Sequence, residues 1–336
     1  MSVQIGIAGI GTYFPQATQT AADLVDATGI PEAVLRDKMG IVQRHIASEA
    51  ESVSYMASEA GKRAIADSGL TPEQIKMVIS HGSEYKDHIV WNAAGKIQHN
   101  VGAVNAFAFE MYALCAGAPI AMQTARSMML ADDKLDAVLL AAGSKENDLV
   151  DPRNQRARFM FNFGAGGGAM VLQRGAERNL VLGASAITDG SLSETVMLTT
   201  EADAIGSGKL INGEVVGRLD VRNADMMAER LGESSLPNFK RVISEAVEKS
   251  GYGLKDVKFL GITHMKKSFY LEILQSIGLS AEQSVYLDHY GHVQSVDQVL
   301  ALQLGLAQGK IQAGDLIVLA GAGTGYTWSA VAVRWG

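Results

Sequence analysis

The same plan is written twice along this 336-residue chain, and that repetition limits the folds open to it more than any single motif does. In the first half the apolar stretch Met77-Val78-Ile79-Ser80 reads as a strand ending near His81. A helical pattern then runs from about Trp91 to Asn100, Gly102 closes it, and Cys115 heads a new helix 13 residues later. In the second half the strand Phe259 to Thr263 ends at His264, a helix runs to Ile277, Gly278 closes it, and His292 lies 14 residues on. From Cys115 to the strand at Ala137 is 22 residues; from His292 to the strand at Asp315 is 23. A duplication of this length predicts two similar α/β halves, 1–173 and 174–336, whose equivalent loops meet at a shared pseudo-symmetric site. Cys115 and His292 then face one another across that site, with His264 beside them.

Other segments fit the same class. Val3 to Ile10, bounded by Gly11 and Pro15, reads as a buried strand, as do Asn105 to Phe109 and Ala137 to Ala142. Ala21 to Ala27, Pro31 to Lys38, Ser54 to Ser68 with Gly69 behind it, and Ile120 to Leu130 read as helices. Strands alternating with helices argue for α/β layers. The 36 Gly, 47% hydrophobic content and 6 Pro suit such a compact, turn-rich chain. A formal charge of −7 disfavours a general nucleic-acid binder.

Cys115 is the only cysteine. At a strand-to-helix turn a thiol faces unpaired backbone N–H groups and the positive end of the helix dipole, which favours the thiolate. The plain alternative is a small buried hydrophobe, and on position alone the two readings stand about even. One cysteine excludes an internal disulfide and a cysteine-rich zinc site, so no metal is expected and a reducing cytoplasm suits the chain. The N-terminal Met1-Ser2-Val3-Gln4-Ile5 lacks a basic region followed by a long apolar stretch. No run approaches the roughly 18 to 20 apolar residues that a bilayer span needs. A soluble cytoplasmic protein without membrane partners is the expectation.

Four segments resemble one family in its own order. Lys38 to Ala47 looks like an early "TGIxxRRIA" segment, Leu114-Cys115-Ala116-Gly117 like a nucleophile motif, Phe163 to Ala169 like "FGDGAGA", and Gly323 to Trp328 like "GGGFTW". Together they resemble the thiolase-fold condensing enzymes, most closely the β-ketoacyl-[acyl-carrier-protein] synthase III family. The resemblance implies a thiolase fold, with two pseudo-symmetric α/β halves in five layers, αβαβα. It implies an acyltransferase that takes an acyl group onto Cys115 and forms a β-ketoacyl thioester, as in fatty acid or polyketide biosynthesis. The family's first catalytic histidine falls on His264, although the usual "HQAN" is here His264-Met265-Lys266-Lys267. Its active-site Asn, normally in "HGN", falls on His292, giving the Cys-His-His set of the related elongating synthases. A neutral imidazole at either position is expected to donate an N–H to a developing oxyanion. The resemblance also implies an oxyanion hole from the backbone N–H groups of Cys115 and Thr324; the position of Cys115 itself implies that thiolate formation depends mainly on the helix terminus. A CoA or phosphopantetheine thioester is expected as substrate with no permanently bound cofactor, acyl-CoA or an acyl-carrier protein as partner, and a homodimer paired through Asn105 to Met111.

Departures qualify what the resemblance implies. The Trp and Arg that clamp the CoA adenine fall on about Val34 and Lys38, so the ring is missing. Arg153, Arg156, Arg158, Lys266 and Lys267 are candidates to replace them at the mouth, the alternative for each being a solvated basic face. Val90-Trp91 falls near the loop that shapes the acyl pocket across the dimer interface and suits a small or flat acyl group. Gly82-Ser83-Glu84 resembles the "GTE" of 3-hydroxy-3-methylglutaryl-CoA synthase. Glu84, if burial raised its pKa, would serve as base for a condensation without decarboxylation; structurally it would instead pair with Lys86. A catalytically silent partner subunit is the remaining alternative.

Overall fold

The computed structural model describes residues 3–88, 90–199, 209–211 and 214–336. Nine strands form one sheet: β1 (Ile5–Tyr13), β2 (Met77–Ser80), β3 (Phe107–Glu110), β4 (Ala137–Ser144), β5 (Gly166–Arg174), β6 (Leu180–Thr188), β7 (Val257–Ile262), β8 (Leu316–Gly323) and β9 (Thr327–Arg334). Their spatial order is β7-β8-β9-β6-β1-β5-β4-β2-β3. The duplication is visible in the pairing. β1/β5 and β5/β4 are antiparallel and β4/β2 parallel, while β6/β9 and β9/β8 are antiparallel and β8/β7 parallel. One ladder pair, Gly6 with Leu180, joins the two series. The counterpart of β3 is reduced to an isolated parallel bridge between Leu260 and Ser284.

Parallel neighbours need crossovers, and the helices supply them. Those packed on the sheet are α1 (Val53–Ser68), α2 (Ala93–Val101), α3 (Gly117–Ala131), α4 (Ala224–Lys249), α5 (Lys267–Ser276) and α6 (Asp297–Ala307); the short helices Ala21–Thr28 and Glu32–Asp37 lie in the segment between β1 and α1. Ser52 caps α1 by accepting from Tyr55 N–H, and Gly69 ends it in the left-handed region at φ 73°. Ala57, Ala60, Ala64 and Ile65 of α1 pack on Val78, Leu139 and Val171, which forms one outer layer. Phe239, Val242 and Ile243 of α4 pack on Val318, Ala330 and Ala332 and form the other. Between the two sheet halves lie α3 and α6, whose Ala121, Met122, Val299 and Leu302 share a core with Met77, Leu140, Ile317 and Val331. The result is the αβαβα stack. Small residues set the spacing: a Cβ on Gly11 would lie 2.3 Å from Ala60 O, so α1 rests directly on β1.

Two details depart from the sequence reading. Strand β3 begins at Phe107 rather than Asn105, and α3 begins at Gly117 rather than Ile120, because Pro119 fits a first helical turn. The repeat register is also different. Each central helix is entered through one 3₁₀ turn, Leu114–Ala116 or Gln294–Val296, whose first residue has a positive φ of 49° or 54°. The positional counterpart of Cys115 is therefore Ser295, and His292 lies three residues ahead of it.

Candidate active site

Cys115 sits at the N-terminal end of α3 and is 5% exposed. The left-handed Leu114 before it bends the chain sharply, a strained turn held by its surroundings. Gln298 fixes the backbone behind the thiol. Its Nε2 lies 3.0 Å from Cys115 O, 2.9 Å from Thr263 Oγ1 and 3.1 Å from Ala320 O. β8 passes close enough that a Cβ on Gly321 would lie 2.4 Å from Cys115 O.

The Cys115 sulfur is 3.0 Å from Nε2 of His292, which is itself buried. His292 is pinned on both backbone sides, its N–H donating to Asn162 O at 2.7 Å and its carbonyl accepting from Gly164 N–H at 2.9 Å. The Phe163 ring stands edge-on to the imidazole at a centroid distance of 5.0 Å. Its Nδ1–H donates to Asp297 Oδ2 at 2.5 Å. Asp297, the first residue of α6 and wholly buried, also accepts from Val293 N–H at 2.8 Å and from His264 N–H at 2.7 Å. A carboxylate at a helix N-terminus is stabilised by the dipole as well as by these donors. Burial pulls the His292 imidazolium down, but the facing Cys115 thiolate and Asp297 outweigh it and hold its pKa well above 6.5.

His264 is buried beside this relay but is differently engaged. Its Nε2–H donates to Gly40 O at 2.8 Å, its Nδ1 has no partner among the described residues, and its ring lies 4.8 Å from that of Tyr286. Burial lowers its pKa, so it is neutral at pH 7. Thr324 lies in the turn between β8 and β9, half-buried and outside the left-handed region, so its backbone does not require glycine. Neighbouring Gly323 brings that turn to Cys115, a Cβ on it falling 3.1 Å from Cys115 N.

The remaining expected residues lie further out. Glu84 is exposed, which removes the burial on which a base role depended. Nor is Lys86 its partner: Lys86 pairs with Glu110 at 2.5 Å. The buried acid of this region is Glu146, which accepts from the Ser83 and Ser144 hydroxyls. Burial pushes the Glu146 carboxyl above its ordinary range. Val90 is wholly exposed, and the Trp91 ring stands edge-on to the His88 ring. Arg153 pairs with Asp151 and Arg156 with Asp220. Arg158, Lys266 and Lys267 are exposed, with Lys267 over the Tyr286 ring. The sequence reading missed Asp297, Glu146 and Gln298. The available signal was an acid five residues after His292, at the head of a helix.

A doubly wound pair of α/β halves with a lone thiol at their junction defines a thiolase-fold acyltransferase. Family models for 3-oxoacyl-[acyl-carrier-protein (ACP)] synthase III match residues 109–190, and for the C-terminal part of that enzyme residues 247–335. β-Ketoacyl-[acyl-carrier-protein] synthase III 1 of Bacillus anthracis is 30% identical over 336 residues, covering 99% of this chain and 100% of its own. The crystal structure of 3-oxoacyl-[acyl-carrier-protein] synthase III from Aquifex aeolicus VF5 superposes with a TM-score of 0.83 at 26% identity, over 98% of this chain and 100% of its own. The priming β-ketosynthase of the R1128 polyketide pathway, at 20% identity and a TM-score of 0.84 over 98% and 96% of the two chains, shares the fold. The chain belongs to the β-ketoacyl-[acyl-carrier-protein] synthase III family, and its function is that of a synthase III-like condensing enzyme. No described helix is long and apolar enough to cross a membrane.

Proposed function

We propose that Cys115 is the residue this enzyme acylates, taking an acyl group from a CoA or acyl-carrier-protein thioester with His292 as its proton partner. The observation that carries this reading is the 3.0 Å contact between Cys115 Sγ and His292 Nε2, with Asp297 holding the far side of the ring. The sulfur attacks the thioester carbonyl, the donor C–S bond breaks, and the imidazolium proton goes to the leaving thiolate. The backbone N–H groups of Cys115 and Thr324 hold the oxyanion. In the second half-reaction a malonyl-type carrier loses CO₂, its enolate carbon attacks the acyl-Cys115 carbonyl, and the carbon–sulfur bond to Cys115 breaks with the sulfur leaving as a thiolate; the product is a β-ketoacyl thioester, the product class in the relatives' names. His292, reprotonated from solvent after acylation, donates its Nε2–H to the extender carbonyl while CO₂ leaves.

The same reading covers the surroundings. Arg158, Lys266 and Lys267, exposed and basic, suit the phosphates of CoA or an acidic carrier protein, as do Arg153 and Arg156, which also form ion pairs with Asp151 and Asp220. The chain divides at 173/174 into its two halves. Strand β3 is a sheet edge with Phe107 51% exposed, and a second copy pairing there would bury it and bring Val90 and Trp91 to the neighbouring site. Such a homodimer, working in the cytoplasm in fatty acid or polyketide synthesis, is the assembly we favour. The test is intact-protein mass after exposure to a panel of acyl-CoAs and acyl-carrier proteins. Wild type is expected to gain one acyl mass and Cys115→Ala none; a labelled Cys115→Ala protein would overturn the assignment.

A further inference from the structure

Decarboxylative condensation asks the site for two N–H donors converging on the extender carbonyl. Here both histidines are committed elsewhere. His264 donates its Nε2–H to Gly40 O. His292 donates its Nδ1–H to Asp297, which fixes the tautomer: when neutral, the imidazole offers the site a lone pair on Nε2 and no proton. An expected donor is thus an acceptor in its neutral form. A nucleophile facing an imidazole that is oriented by a buried carboxylate is the arrangement of a general-base acyl-transfer site. The protonation of His292 changes during turnover as well. Negative charge on the Cys115 sulfur, together with Asp297, favours the proton on the ring. Once the sulfur is acylated that charge is gone, and the ring that gave its proton to the leaving thiolate is left neutral.

From this geometry we propose a further activity of the same acyl-enzyme: transfer of the acyl group from Cys115 to the oxygen or nitrogen of a hydroxyl or amine acceptor, with His292 as base and Asp297 as the positioning residue. The inference rests on acylation at Cys115 and adds a second class of acceptor. In the step, the acceptor O–H or N–H proton moves to His292 Nε2 as the heteroatom attacks the acyl carbonyl. The tetrahedral intermediate collapses, the carbon–sulfur bond to Cys115 breaks, and the sulfur leaves as a thiolate beside the imidazolium. The resting pair is restored and the product is an ester or amide. No CO₂ is lost and no redox partner is needed.

The experiment follows discharge of pre-acylated protein by intact mass, with water alone, ethanolamine or malonyl-CoA, across pH. Ethanolamine is expected to speed discharge of wild type and to yield an acylated ethanolamine, with a rate that rises with pH to a plateau as His292 loses its proton. The malonyl-dependent rate should fall over the same range, because it uses the protonated ring. Asp297→Asn should lose the ethanolamine effect by roughly 10²-fold, the scale of lost general-base catalysis. His292→Gln provides the same reading should Asp297→Asn not fold, and the wild-type pH profile needs no variant. Absence of acyl loading would overturn the acyl-enzyme reading and this inference with it. Loading without ethanolamine discharge, parallel pH limbs, or full ethanolamine discharge in His292→Gln would overturn this inference alone.

Discussion

At the head of α3 Cys115 stands 3.0 Å from His292; at the head of α6, in the matching position, Ser295 Oγ stands 3.0 Å from His81 Nδ1. Each pair is buried, each follows a left-handed residue, and each places a nucleophilic side chain against an imidazole contributed by the other half. Their second partners differ. His292 has Asp297 on its far nitrogen and a pKa held well above 6.5. His81 Nε2 has no partner among the described residues, and burial presses its pKa down to about 4. Duplication thus supplied two hydroxyl- or thiol-imidazole pairs, and they differ in the carboxylate, Asp297, that holds the far side of one imidazole. The other is a neutral contact in the core, with one ring nitrogen left without a partner among the described residues.

The sharpest way to break this comparison is to truncate both nucleophilic positions. Ser295→Ala is expected to retain full acyl loading, in contrast to the complete loss at Cys115. Its effect should be on stability. The Ser295 hydroxyl donates to His81 O at 2.8 Å and faces His81 Nδ1, so its removal leaves buried polar groups unpaired at a cost of about 1–3 kcal/mol. Urea unfolding and acyl loading, measured together, check it. A Ser295→Ala protein of native stability that no longer loads acyl groups would make the second pair part of the chemistry.

An effect on the pH dependence of stability distinguishes the two histidines by sign. His81 has a folded pKa below its ordinary 6.5, so the unfolded chain takes the proton first on acidification. Its contribution to stability is complete above pH 6.5 and is lost as pH falls towards 4, about 3 kcal/mol in all. His292 is raised, so its contribution is complete below 6.5 and is lost as pH rises through its folded value. The slope of unfolding free energy between pH 4 and 6.5 should therefore flatten in His81→Asn and persist in His292→Gln. Equal slopes in wild type and His81→Asn would refute the assignment.

How far the sequence carried these conclusions depends on the element. Strands and helices bounded by Gly69, Gly102 and Gly278 were legible, because a left-handed C-terminal residue punctuates each. The meeting of Cys115 with His292 followed from the repeat, yet its register was three residues off, since spacing cannot count the 3₁₀ turn before each central helix. The 26-residue α4 went unread: Gly232 and Pro237 interrupt it, and only packing of Phe239, Val242 and Ile243 against the sheet overrides them. Asp297 was invisible for another reason. An acid at a helix N-terminus is ordinary, and its importance comes from His264 and His292 converging on it in space.

The smallest expected effect concerns the two carboxylates, which extend the contrast between exposed and buried partners. Glu84 is exposed, and its charge is screened by solvent, so Glu84→Gln should change the rate of β-ketoacyl formation by no more than about twofold. Glu146 is buried under Ser83 and Ser144, with its pKa raised by that burial even though His292 and the two hydroxyls pull the other way. The folded chain therefore binds the Glu146 proton more tightly than the unfolded chain. That contribution is complete at low pH and is lost as pH rises through the folded value. A glutamine, which is neutral throughout, should equal or exceed wild type in stability at pH 8 and lose that advantage near pH 4. Thermal unfolding at the two pH values measures it. A Glu146→Gln protein less stable than wild type at pH 8 would mean the carboxylate is ionised and valued in the fold. A loss of 10²-fold or more in Glu84→Gln would restore the exposed residue as a base.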